Sequence, residues 1–276
     1  MNRKDLPELV GGYFDYLEYE GQLRNSNSID LSGSNWIDSV TAFLLANLKF
    51  SRNIEITAGS QSNAMGYFNT IANRNPEWWK SRSYGILYSP SDSYLPFSRL
   101  PKSQRDFATL TNAFMARMNS FTIVGGKNTF MSVLGELTDN IYQHSNFTSA
   151  FMMCQVYRTK RYVDISFIDD GITIPGNFEA NSIAFDSDGQ AIDMAVNGTS
   201  TKDPVVRGRG LGDSLRIYCE GADAKAMIVS REGIYYRSSA DVSLFNLKSL
   251  SKFRGTLICI RSPIMTNEIP LYDYFG

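Results

Sequence analysis

The chain has 276 residues, enough for one large or two small domains, and its 43% apolar content can fill a complete core. A net charge of −1 creates no global field to attract nucleic acid or an anionic membrane, so neither is expected as a partner. Three scattered cysteines and a single histidine form no CxxC pair and argue against a zinc site; they fit buried thiols in a reducing cytoplasm. The opening residues lack the apolar stretch of a secretion signal, and the apolar run 42–48 is far short of the roughly 20 residues a span needs. The expected location is therefore cytoplasmic.

Residues 1–120 read as a smaller N-terminal α/β unit. Leu6, Leu9, Val10, Phe14 and Leu17 space an amphipathic helix over 5–20, residues 26–28 a loop, 39–48 a second helix, and 54–57 a short strand. Residues 59–100 are rich in Ser, Asn, Pro and aromatic residues and give no clear order; Trp78 and Trp79 there are expected to pack. Phe107, Leu110, Phe114 and Met118 predict a helix over 103–120.

A second unit spans 121–262, followed by a tail over 263–276. Phe130, Val133, Leu134, Leu137 and Ile141 recur at three- and four-residue steps and predict a helix over 128–144 with one buried stripe. Strands over 151–158 and 162–168 meet in a hairpin around Lys160 and Arg161. In the second of them Val163, Ile165 and Phe167 alternate with Asp164 and Ser166. A short helix at 190–196, a glycine-rich loop, another helix through Leu215 and Tyr218, a hairpin over 226–230 and 234–237, and a strand over 256–261 follow.

Three segments carry chemistry. Glu136 and Asn140 are four apart and share a helix face. A carboxylate there can accept a proton from an attacking water, and the Asn140 oxygen is a hard ligand of the kind magnesium takes. Asp169 ends a strand two residues before Gly171. A strand-end carboxylate can accept from an exocyclic amine of a purine, and a glycine lets the backbone approach a ring. Gly208, Gly210 and Gly212 alternate just before a helix, where backbone amides suit an anion, with Lys202, Arg207 and Arg209 adding positive charge. No Gly-Lys-Ser/Thr follows, so this is no P-loop, and no βαβ unit frames it as a dinucleotide site. Taken singly, each segment is also what a solvated helix face, a turn or a helix cap would show.

Together, the segments resemble the GHKL ATPase superfamily of gyrase-type topoisomerases, heat-shock chaperone ATPases, histidine kinases and MutL-type proteins. The match covers about 121–262. Glu-Leu-Thr-Asp-Asn at 136–140 resembles the N-box, and Asp169-x-Gly171 with Ile174 and Pro175 resembles the first glycine box. Residues 198–202 and 207–212, including Leu211, resemble the lid and second glycine box; Gly255-Thr256 resembles the late Gly-Thr of the adenine pocket. The details look most similar to small prokaryotic anti-sigma-type members. Thr173 departs from the pattern, standing where the first box has its second glycine. A β-branched residue disfavours positive φ, which bears on how a lid would bend. Residues 29–57 also resemble the small STAS-like α/β domains.

The resemblance implies an α+β chain with a two-layer Bergerat-type sandwich, its sheet mixed but mostly antiparallel with helices on one face. It implies ATP and magnesium as ligands, Glu136 as general base and Asn140 as metal ligand. Asp169 becomes the adenine acceptor, with Gly171, Ile174 and Thr256 beside it. Lys202 and residues 207–212 would surround the phosphates. The function implied is slow ATP hydrolysis or an anti-sigma-like protein kinase activity, in a regulatory role toward a protein partner and compatible with a homodimer. The alternative is a non-catalytic, ATP-dependent switch that binds a partner.

Overall fold

Period-2 burial on both sides of the strands sets the architecture. The structure is a computed structural model that describes residues 6–59, 62–72, 75–80, 94–117, 122–199, 210–247 and 252–274. The N-terminal elements are α1 (Glu8–Gln22), β1 (Ser28–Asp30), α2 (Ser39–Arg52), β2 (Glu55–Thr57) and α3 (Asn63–Ala72). β1 and β2 pair in parallel around α2. Then come β3 (Tyr94–Arg99), α4 (Gln104–Arg117), α5 (Lys127–Asn140), β4 (Ala150–Tyr157) and β5 (Tyr162–Asp169). Helices α6 (Ile174–Ala180), α7 (Asp188–Val196) and α8 (Gly210–Gly221) precede β6 (Lys225–Arg231), β7 (Gly233–Arg237), β8 (Val242–Asn246) and β9 (Phe253–Pro263).

The chain is thus α+β, built on a seven-stranded sheet of order β3-β4-β5-β9-β6-β7-β8. Every neighbouring pair in that sheet is antiparallel; the parallel pair belongs to the separate β1-β2 ribbon. β5 lies between β4 and β9 with unbroken register from Tyr162 to Asp169 on both sides.

One core packs Val133, Leu134 and Leu137 of α5 and Leu215 and Tyr218 of α8 against Val163, Ile165, Phe167, Ile258 and Ile260. A second core packs Leu9, Tyr13, Phe43, Leu44 and Phe68 of the N-terminal helices against Phe151, Met153, Ile168, Val229, Leu257 and Cys259. The sheet expected to carry helices on one face therefore carries them on both, because alternate residues of its central strands are apolar on both sides. Asp164 and Ser166, the polar residues of the alternation along β5, are buried. Arg261 makes that tolerable: its Nε and Nη2 donate to the two Asp164 oxygens at 2.7 Å each, and its Nη1 donates to Glu8 at 2.6 Å. Ser39 Oγ also donates to Asp164. Buried charges need such pairing.

Most expected helices and hairpins are present within a few residues. Elements not anticipated are β1, which begins at Ser28 where a loop was expected, α3, β3, α6 and β8. The helix foreseen over 103–120 is described over Gln104–Arg117. The cysteines are buried thiols, their pKa values pushed up to about 12 by burial. Among the described residues, no helix is long and apolar enough to cross a membrane.

Candidate functional site

Helix α5 buries the predicted stripe and turns its next face to a cavity. Its C-terminal end runs into a π-helical turn, Ile141–Ser145, that closes at Asn146 with φ of 47°. Such turns are rare and common at functional sites. This one presents the Ser145 carbonyl to the loop after β5, where Ile172 N donates to it at 2.5 Å. A Cβ on Gly171 would lie 1.9 Å from that carbonyl, so only glycine fits there.

The two neighbouring acids of that loop have different tasks. Asp170 Oδ1 accepts from Thr148 N at 2.7 Å and Ser149 N at 2.8 Å, a local brace. Asp169 lines the cavity, and its Oδ1 accepts from Gly171 N at 2.9 Å. Burial pushes the Asp169 carboxyl up to about 7, against the Gly171 amide, which favours the anion.

Thr173 follows, with φ of −71°. The left-handed conformation a glycine would serve is not used here. The threonine side chain accepts from Gly176 N at 3.0 Å and caps α6, with Pro175 in the first turn. Ile174 N donates to the buried Ser230 Oγ at 3.0 Å, which itself lies 3.1 Å from both the Gly255 carbonyl and Thr256 Oγ1. This hydroxyl ties α6 to β6 and β9, a link between residues 56 apart that no local pattern announces.

The cavity has a volume of about 560 Å³. Of the expected site residues, Asn140, Asp169, Ile174, Leu211, Gly212 and Thr256 line it, bringing together segments from α5, β5, α6, α8 and β9. Gly171 adjoins it through Ser145, and Gly210 opens α8. Glu136, half-buried one turn before Asn140, is not among the lining residues. Lys202, Arg207, Gly208 and Arg209 lie outside the described residues. Gly212 has a packing reason to be glycine, since a Cβ there would stand 2.0 Å from the Val196 carbonyl at the end of α7.

Charged lining residues lie beyond the expected set. Arg216 of α8 and Arg237 of β7 are among them, and His144, the one histidine of the chain, also lines the cavity from the π-helical turn. Arg216 stands four residues after Gly212, on the same helix face, which is the signal that could have found it.

The donor set can be tested against the ligands the motifs imply. A cavity of this size is within the usual range for small ligands, roughly 300–1,000 Å³. The Asn140 carboxamide nitrogen is buried with no hydrogen-bond partner among the described residues. An unsatisfied buried amide beside a cavity fits a polar ligand there, and the same carboxamide turned over offers magnesium a neutral oxygen. The described residues hold no cluster of three or more His, Cys, Asp or Glu that could bind a metal alone. A magnesium ion would lean on Asn140 and on ligand phosphates, the arrangement that cation favours. Set against protein-family models, curated proteins and solved structures, the chain matches none of them.

Proposed function

We propose that this chain is a magnesium-dependent ATP-binding protein of the GHKL type, with a Bergerat-type nucleotide site in the cavity between α5, α6, α8 and the sheet. The observation that carries the reading is Asp169: a buried strand-end carboxyl, its pKa raised to about 7 by burial, facing a cavity shared with Asn140, Gly212 and Thr256. Such a group is a functional-site candidate on physical grounds, because a fold gains nothing from a carboxyl kept short of partners. Its anion would accept from the adenine amine, Thr256 and Ile174 would flank the ring, and α8 would offer its N-terminal amides to phosphate.

Glu136 is the general base of this reading, drawing a proton from an attacking water or from a partner's hydroxyl. Phosphoryl transfer asks mainly for positioning and charge stabilisation, so slow hydrolysis and anti-sigma-like protein phosphorylation are both within reach of this residue set. One observation favours a second reading, an ATP-dependent binding switch with little turnover: Glu136 is absent from the cavity lining.

The test is calorimetry with ATP and magnesium, followed by incubation with labelled ATP. Binding with release of labelled phosphate, or with label on a protein, supports the enzyme. Binding without either supports the switch. No heat at millimolar ATP, with or without magnesium, refutes both.

A further inference from the structure

We propose that Arg216 takes the anionic end of the cavity's ligand, and that the C-terminal segment holds this side chain until the ligand arrives; the inference rests on the nucleotide reading above. Arg216 and Gly212 share one face of α8 and both line the cavity. The guanidinium Nη2 donates to the main-chain carbonyl of Tyr274 and stands 3.5 Å from Asp213 Oδ1. Its Nε is buried and has no hydrogen-bond partner among the described residues. A guanidinium carries five donors in a rigid fork. One neutral carbonyl and one long carboxylate contact leave most of that fork unused.

The other cavity arginine is differently placed. Arg237 Nη2 donates to Glu220 at 2.8 Å, a charged acceptor of ordinary length. Arg216 is therefore the cation more readily exchanged. Two oxygens of a phosphate can take the two prongs of the guanidinium fork together, and their negative charge adds an attraction that a neutral carbonyl lacks. Phosphate should win Arg216 from the Tyr274 carbonyl.

The holding segment is anchored independently of this contact. Ile269 N donates to the Gly125 carbonyl at 2.8 Å, Met265 N to the Ile123 carbonyl at 3.3 Å, and Thr129 Oγ1 to the Ile269 carbonyl at 3.4 Å. Its last described turn, Leu271–Tyr274, reaches α8 and there meets Arg216. Exchange of Arg216 onto a ligand would free the Tyr274 carbonyl while the anchors before it and the Tyr274 ring against the core stay in place.

Calorimetric titration of the full chain with ATP–magnesium and with adenosine tests this, in the parent, Arg216→Ala and Arg216→Gln. Loss of a charge-assisted bond predicts ATP affinity lowered roughly tenfold to a hundredfold in both variants. Adenosine, which has no phosphate, should bind all three alike. Glutamine still donates to the Tyr274 carbonyl, so a purely structural arginine would be rescued by it, whereas an anion-binding one would not. A parent ratio of ATP to adenosine affinity in both variants, or ATP affinity restored by Arg216→Gln, overturns the inference and leaves the nucleotide reading standing. A parent that binds neither ligand refutes the nucleotide reading and this inference with it.

Discussion

Asp169→Asn should make the protein more stable and less able to bind nucleotide. The Asp169 carboxyl titrates near 7 in the folded chain, against a reference of 3.8, chiefly through burial. A group whose folded pKa is raised supports the fold fully below its unfolded value and loses that contribution as pH climbs through the folded one. The window is thus about pH 4 to 7. At about 1.4 kcal/mol per unit, the interval sets a ceiling of roughly 4 kcal/mol on the cost of ionising Asp169 in the free protein. The amide in its place is neutral throughout, and its oxygen can still accept the Gly171 N–H that Asp169 Oδ1 accepts at 2.9 Å. Urea unfolding of both proteins from pH 4 to 8 should give similar stabilities at pH 4 and a variant more stable at pH 8, by up to about 4 kcal/mol. The same variant should bind ATP roughly tenfold to a hundredfold more weakly at pH 8, having lost a charge-assisted acceptor. Parallel stability curves would show that burial does not govern this carboxyl. Unchanged ATP affinity would reduce Asp169 to a turn residue.

In the parent, ATP affinity should rise about tenfold between pH 6 and pH 8 as Asp169 ionises, and calorimetry showing a flat profile would contradict the acceptor role. Glu136→Ala should keep ATP binding while any hydrolysis falls by about 10²–10⁴-fold, whereas Asn140→Ala should weaken magnesium-dependent binding itself. Alanine at an ordinary helical glycine gains up to about 1 kcal/mol, but Gly212→Ala should cost about 1–3 kcal/mol, since its Cβ would meet the Val196 carbonyl at 2.0 Å; a variant with a higher unfolding midpoint would refute this. Arg261→Met should cost about 3–5 kcal/mol by stranding Asp164 in the core, and adding Asp164→Leu should recover much of it. A double variant no better than the single one would show that the pair is not the source of the loss.

What the sequence disclosed was what local periodicity can encode. The α5 stripe and the hairpins of β4-β5 and β6-β7 need only neighbouring residues to declare themselves. The edge strands did not: β3 carries Pro96 and an irregular register between Leu95 and Ser98, and β8 is five residues long with Val242 and Leu244 exposed. Proline is tolerated at a sheet edge because no partner needs its missing N–H, but it masks the strand pattern. Helix α6 is seven residues long and its start depends on Thr173 and on the distant Ser230. Among site residues, Asn140, Asp169, Gly212 and Thr256 belong to recognisable segments. Arg216 and Arg237 look like solvated charges in sequence, and only the sheet order and helix packing turn them toward the cavity.

Alternation along β5 gives two aspartates opposite fates. Asp164 and Asp169 are five residues apart, so their side chains leave opposite faces of one strand. Both are buried. Asp164 meets the N-terminal layer, where Arg261 binds both its oxygens and Ser39 adds a third donor. Asp169 meets the cavity, where the Gly171 amide donates to it and burial raises its pKa. A buried carboxylate is tolerated when paired and otherwise takes up a proton. Asp164 follows the first course and so belongs to the fold. Asp169 follows the second, at the floor of the cavity, on a strand fixed by eight-residue ladders on both sides. A rigid strand end that holds an under-paired acid toward a cavity works against the stability of the free protein above pH 7. That conflict between local and global preference is where a binding site is expected. A ligand that brings its own hydrogen-bond donor would relieve it.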